Sequence, residues 1–101
     1  MKRRVLFVCT ANSARSLMAE AVLRDMAGDQ FEVASAGTDP AEPNPLALQV
    51  LEEAGVDTAG LHSKQLSGLQ DQPWDYVITL CDKAASECGV VHAGAQQIHW
   101  D

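Results

Sequence analysis

The first apolar block runs from Val5 to Cys9, β-branched and aromatic in type, and stops at the small polar run Thr10-Ala11-Asn12-Ser13. Such a block predicts a buried strand followed by a loop. From Ser16 the spacing changes: Leu17, Met18, Ala21, Val22 and Met26 recur at helical intervals, Glu20, Arg24 and Asp25 lie off that stripe, and Gly28 supplies a stop. Phe31 to Ser35 forms a second strand pattern, broken by Ala36-Gly37-Thr38-Asp39-Pro40, which favours turns. Asn44 before Pro45 predicts a helix start, with asparagine as cap and proline in the first turn. Leu48, Leu51 and Ala54, closed by Gly55, predict its extent. Leu61 to Pro73 is mixed and polar and is expected to be a loop carrying a short helical turn. Tyr76 to Leu80 reads as a buried strand ending at Cys81, and Gln97 to Trp100 as a last short strand.

Strands alternating with helices predict an α/β layer fold around a parallel sheet. A length of 101 residues holds one core, so residues 1–101 are expected to form a single domain. With 47% apolar and 21% charged residues, and no run long enough to cross a bilayer, the expected class is soluble globular. Met1-Lys2-Arg3-Arg4 carries the charge of a secretory leader, but Val5 to Cys9 is too short an apolar stretch to complete one, which points to the cytoplasm. Seven Lys and Arg against fourteen Asp and Glu leave a formal charge of −7. That balance argues against nucleic acid or an anionic membrane as the main partner, so any anion site must be built locally.

The segment Cys9-Thr10-Ala11-Asn12-Ser13-Ala14-Arg15-Ser16 is the strongest chemical signal. It sets a cysteine at a strand end and an arginine at the mouth of a helix. Consecutive backbone N–H groups in such a loop can converge on one point, the helix start adds roughly half a positive charge, and Arg15 can present a bidentate fork to a tetrahedral oxyanion. The same positive field favours a Cys9 thiolate over the thiol and makes it a candidate nucleophile. Asn12 can shape the loop, and the hydroxyls of Ser13 and Ser16 can donate to the thiolate. The bland alternative is a buried core cysteine beside a surface arginine. The placement between a clear strand and a clear helix favours the functional reading.

Two further cysteines make an odd total of three, which fits thiols that do chemistry or bind metal rather than staple the fold. Cys81, at the end of a later strand, emerges in a parallel sheet at the same edge as Cys9. Cys88 follows seven residues on, within reach of a disulfide with Cys81. Two buried thiols, or a zinc site completed by His92 or His99, remain the alternatives. His62, His92 and His99 otherwise read as surface residues, and Trp74 and Trp100 as packing anchors.

Taken with Ser35-Ala36-Gly37-Thr38, Asn44-Pro45, Val77-Ile78-Thr79-Leu80-Cys81-Asp82, Cys88 and His99-Trp100, the loop resembles the thioredoxin-coupled arsenate reductases over essentially the whole chain. The loop alone resembles that of low-molecular-weight tyrosine phosphatases. This implies their three-layer α/β/α fold with a central, mostly parallel four-stranded sheet. The extra cysteines are what point to the reductases.

The resemblance implies that Cys9 attacks arsenate held by residues 10–16 and Arg15, that Cys81 attacks Cys9 to release arsenite, and that Cys88 closes a Cys81–Cys88 disulfide for thioredoxin to reduce. Phosphate or sulfate would bind as analogues, and no bound cofactor or metal is expected. Some relatives hold potassium behind the loop through oxygen ligands. Glu20 and Ser35 match positions of that site, whereas Lys64 would bring an ammonium to it.

Members of the family continue past His99-Trp100 through an Asp-Pro acid loop and a final helix. Asp101 is not assumed to be that acid. A chain ending here is expected to lack the last helix, leave an apolar patch and tend to dimerise. The competing functions are a phosphatase that does without Cys81 and Cys88, and a non-catalytic protein that binds oxyanion or arsenite.

Overall fold

In the computed structural model, whose described residues are 2–11, 14–66, 69, 72–80 and 95–100, the first apolar run is strand β1, Arg3–Cys9. Five consecutive residues, Val5 to Cys9, are buried. Side chains of a strand alternate between its two faces, so such a run needs cover on both and suits the centre of a parallel sheet. β1 does lie inside the sheet. β2 (Phe31–Gly37) pairs along its whole length on one side and β3 (Tyr76–Thr79) on the other, with β4 (Gln96–His99) beyond β3. The order is β2-β1-β3-β4 and every pairing is parallel. Cys9 stands opposite Gly37, and Val8 opposite Thr79, so β2, β1 and β3 end at one rim.

Among the described residues two helices accompany the sheet, α1 (Arg15–Ala27) and α2 (Pro45–Glu53). α1 lies against β1 and β2, and α2 packs on α1. On the α1 face Val5, Phe7, Cys9, Val33, Ile78 and Leu80 form one core cluster, with Ala19 and Leu23 of α1 against it. On the other face Leu6, Val8, Ala36 and Val77 pack with Leu66 and Trp74 from the segment between α2 and β3. Trp74 is anchored twice: its indole N–H donates to the Leu69 carbonyl at 2.6 Å, and the Arg4 guanidinium stacks 4.2 Å from its ring centre.

The start of α2 follows its sequence signal. The Asn44 side chain accepts from the Leu46 N–H at 2.9 Å, Pro45 occupies the first turn, and Gly55 takes the left-handed φ of 78° just past the end. The buried face of α2 is Ala47 and Leu51, however, and the expected Ala54 is exposed at the cap.

α1 departs further from expectation. Its buried residues are Ser16, Leu17, Glu20 and Ala21, whereas Val22 is exposed and Met26 is 77% exposed. Glu20, which the apolar pattern placed off the buried stripe, points inward because partners there neutralise it. Gly28 ends the helix where a side chain cannot fit, since a Cβ would stand 2.5 Å from the Arg24 carbonyl oxygen. β2 runs two residues longer than predicted, to Gly37. There the N–H of Gly37 donates to the Lys64 carbonyl and its own carbonyl accepts from Leu66, both at 2.8 Å.

Among the described residues no helix is long and apolar enough to cross a membrane. These burials predict that Leu6→Ala lowers the unfolding free energy by about 2–5 kcal/mol. Met26→Ala should stay within about 0.5 kcal/mol of the parent in the same urea titration. Comparable losses in both variants would contradict the placement of α1.

Candidate active site

A parallel sheet brings strand ends and the starts of the following helices to one edge, and Cys9 sits there as the last residue of β1. Its thiol is buried, 7% exposed. The carbonyls of Cys9, Thr10 and Ala11 accept in turn from the N–H groups of Thr38, Asp39 and Ala41, at 3.2, 2.8 and 2.9 Å. No peptide bond here is cis. In a trans peptide the N–H points opposite to the preceding carbonyl, so the N–H groups of Thr10 and Ala11 face away from the 38–41 segment. The loop is thus tied back through its oxygens.

Across the loop, α1 begins at Arg15 with Ala14 as its N-cap. Alanine makes no side-chain cap, and the first turn contains no acidic residue. The positive end of the helix is therefore not neutralised by its own side chains, which suits an anion. Ser16 is fully buried and its Oγ lies 2.9 Å from Cys9 Sγ, so the helix start and the thiol are in direct contact. Arg15 is exposed and borders a cavity of about 330 Å³ that it shares with Met18, Ala19, Leu80 and Trp100. The Trp100 ring stands 6.1 Å from that of Phe7, tilted by 52°.

One turn beyond Ser16, the Glu20 side chain is only 4% exposed. Its Oε1 accepts from Ser35 Oγ at 2.5 Å and faces Lys64 Nζ at 3.4 Å, while Oε2 pairs with Arg24 at 2.5 Å. A buried carboxylate is tolerable only when paired and hydrogen-bonded. At the rim of β3, buried Thr79 places its Oγ1 2.9 Å from His99 Nδ1, so His99, an exposed residue as expected, also forms a rim pair.

Of the residues singled out in the sequence, Cys9, Thr10, Ala11, Ala14, Arg15 and Ser16 gather at this strand-to-helix turn. Asn12, Ser13, Cys81 and Cys88 lie outside the described residues. The Thr38–Ala41 brace and the Thr79–His99 pair had no local sequence signal, because each depends on which strands become neighbours.

Fold and site together define a cysteine-centred, phosphatase-like α/β protein. The chain belongs to the low molecular weight phosphotyrosine protein phosphatase family, whose profile matches residues 4–99. It is 35% identical over 99 residues to an arsenate reductase of Halalkalibacterium halodurans, covering 98% of this chain and 71% of that protein. A solved thioredoxin-dependent arsenate reductase of Corynebacterium glutamicum superposes with a TM-score of 0.87 at 36% identity. That match covers 99% of this chain and 49% of the solved one, so this chain spans about half its length. A solved arginine phosphatase of Geobacillus stearothermophilus gives a TM-score of 0.68 at 38% identity, over 76% of this chain and 51% of that one.

If Ser16 supports a Cys9 thiolate, Ser16→Ala should slow alkylation of Cys9 by iodoacetamide at pH 7 by about tenfold, the worth of one hydrogen bond to a charged group. Peptide mapping by mass spectrometry separates Cys9 from the other thiols. Unchanged rates would remove Ser16 from the site.

Proposed function

We propose that this chain is an arsenate reductase that converts arsenate to arsenite with thioredoxin as the external reductant. The observation that carries the reading is the contact between Cys9 Sγ and Ser16 Oγ at the uncapped start of α1, in a chain that matches an arsenate reductase over 98% of its own residues. A tetrahedral oxyanion is held by the N–H groups of residues 10–16 and by Arg15, and the Cys9 thiolate attacks its arsenic. A sulfur–arsenic bond forms as an arsenic–oxygen bond breaks, and the departing hydroxyl takes a proton from solvent and leaves as water.

Cys81 then attacks Cys9 Sγ. The sulfur–sulfur bond forms as the sulfur–arsenic bond breaks, its electron pair stays on arsenic, and arsenite departs. Two thiols have been oxidised to a disulfide and arsenic reduced by two electrons. Cys88 attacks Cys81, frees Cys9 and leaves a Cys81–Cys88 disulfide, which a thioredoxin dithiol reduces by ordinary exchange. Leu80, the residue before Cys81 in the sequence, donates to the carbonyl of Val8, the residue before Cys9, at 2.9 Å; this supports a role for both cysteines at one rim. A reducing compartment such as the cytoplasm suits a site that must return to three free thiols.

A phosphatase is the second reading, favoured by the family itself and by the arginine phosphatase neighbour. It uses Cys9 and Arg15 and leaves Cys81 and Cys88 without a role.

The deciding experiment is arsenate-dependent NADPH consumption with thioredoxin and thioredoxin reductase. Turnover is expected for the parent chain, with a loss of at least about a hundredfold in Cys9→Ser, Cys81→Ser and Cys88→Ser, as for removal of a covalent participant. Phosphoester hydrolysis that survives Cys81→Ser and Cys88→Ser, without arsenate turnover, would establish the phosphatase instead. Arsenate or arsenite binding without either turnover would reduce the chain to a binding protein.

A further inference from the structure

Glu20 is buried behind the Cys9 loop with two cations on it. Arg24 pairs with Oε2 and also donates to the Val33 carbonyl of β2 at 2.9 Å, which makes it part of the helix-to-sheet packing. Lys64 is different. Its Nζ, at 3.4 Å from Glu20 Oε1, also donates to the His62 main-chain carbonyl at 3.0 Å, and Ser35 Oγ shares the same carboxylate oxygen. An ammonium thus sits between a carboxylate and a carbonyl oxygen, of the donor types that hard cations take from proteins, with a hydroxyl bonded to the same carboxylate oxygen.

The backbone explains how it gets there. Lys64 and Leu66 are bonded to the two sides of Gly37 at the end of β2, and Gly37 is the register partner of Cys9. The 62–66 segment is therefore held beside the rim, and the lysine stem reaches back from it to α1.

The potassium site implied for some relatives does not fit these residues. The place opposite Glu20 Oε1 is taken by a covalently attached cation, and the other carboxylate oxygen already carries Arg24. A potassium ion added here would meet two like charges. We propose that Lys64 is the resident monovalent cation of this site, a tethered ammonium that does the work of an exchangeable alkali ion.

It is a positioning residue. By fixing Glu20 to the 62–66 segment and, through Ser35, to β2, it holds the turn of α1 that carries Ser16 onto Cys9. The fold and the Cys9–Ser16 contact thereby become indifferent to which alkali ion is in solution. The inference rests on this geometry and not on which reaction the site performs.

The test is thermal unfolding of the full chain in potassium, sodium and choline chloride at equal ionic strength. The parent should melt at the same temperature in all three. Lys64→Ala in choline should melt roughly 5 °C lower, the shift expected of a small domain that loses one favourable ionic contact, and potassium should restore most of the loss. The rate of Cys9 alkylation in Lys64→Ala should recover with potassium in parallel. Adding Glu20→Gln should abolish both responses.

Specific stabilisation of the parent by potassium over choline overturns the proposal. So does a Lys64→Ala chain that responds to no alkali ion. Should that variant not fold in choline, Lys64→Gln provides the same comparison, and the measurement on the parent stands by itself. Neither readout involves arsenate turnover, so failure here is distinct from failure of the reductase reading.

Discussion

Parallel neighbours cannot be joined by a tight turn, so β1 must pass the chain to a helix that carries it back to the start of β2. That constraint brings the C-terminal end of the central strand and the N-terminal end of α1 to the same place, with a few residues between them. The last strand residue is a thiol, and a serine in the first helical turn meets it at 2.9 Å. The chemistry of the rim follows from the crossover: a polarised helix end, a loop whose carbonyls are tied back to residues 38–41, and a sulfur between them. Because β1 is paired on both sides, the thiol is held by the most enclosed strand of the sheet rather than by an edge.

The inward face of α1 shows what the site requires of the packing. Two of its four buried residues, Ser16 and Glu20, are polar, and the apolar contribution comes from Leu17 and Ala21 with help from Ala19 and Leu23. Hydrophobic burial alone would not choose this face, since Val22 and Met26 are left in solvent. The helix is held instead by specific pairs: Ser16 to the strand end, Glu20 to β2 and the 62–66 segment, and Arg24 to the Val33 carbonyl. Such contacts are directional, and they fix rotation and register more tightly than an apolar stripe does.

Much of this was legible in the residue pattern where the determinants are local. The apolar run ending at Cys9, the Asn44-Pro45 start of α2 and the alternation of strand and helix each rest on neighbours within a few positions, and each element is present. The cysteine and arginine at the two ends of one loop were legible for the same reason. The face of α1 was not, because the burial of Glu20 depends on Ser35 and Lys64, 15 and 44 residues away. Hydropathy ranks a glutamate outward until its partners are known. The pairing of Thr79 with His99 likewise exists only once β3 and β4 are neighbours.

Ala14 carries one more consequence. A helix that begins without a capping side chain forgoes a hydrogen bond that Ser, Asp or Asn at that position would give it, typically about 1 kcal/mol. Those same N–H groups are the ones that the proposed mechanism assigns to the oxyanion. A carboxylate at position 14 would steady the empty protein and compete with the ligand for its own donors, so stability and recognition pull on this residue in opposite directions. On the proposed mechanism, the anion is the cap that the helix lacks.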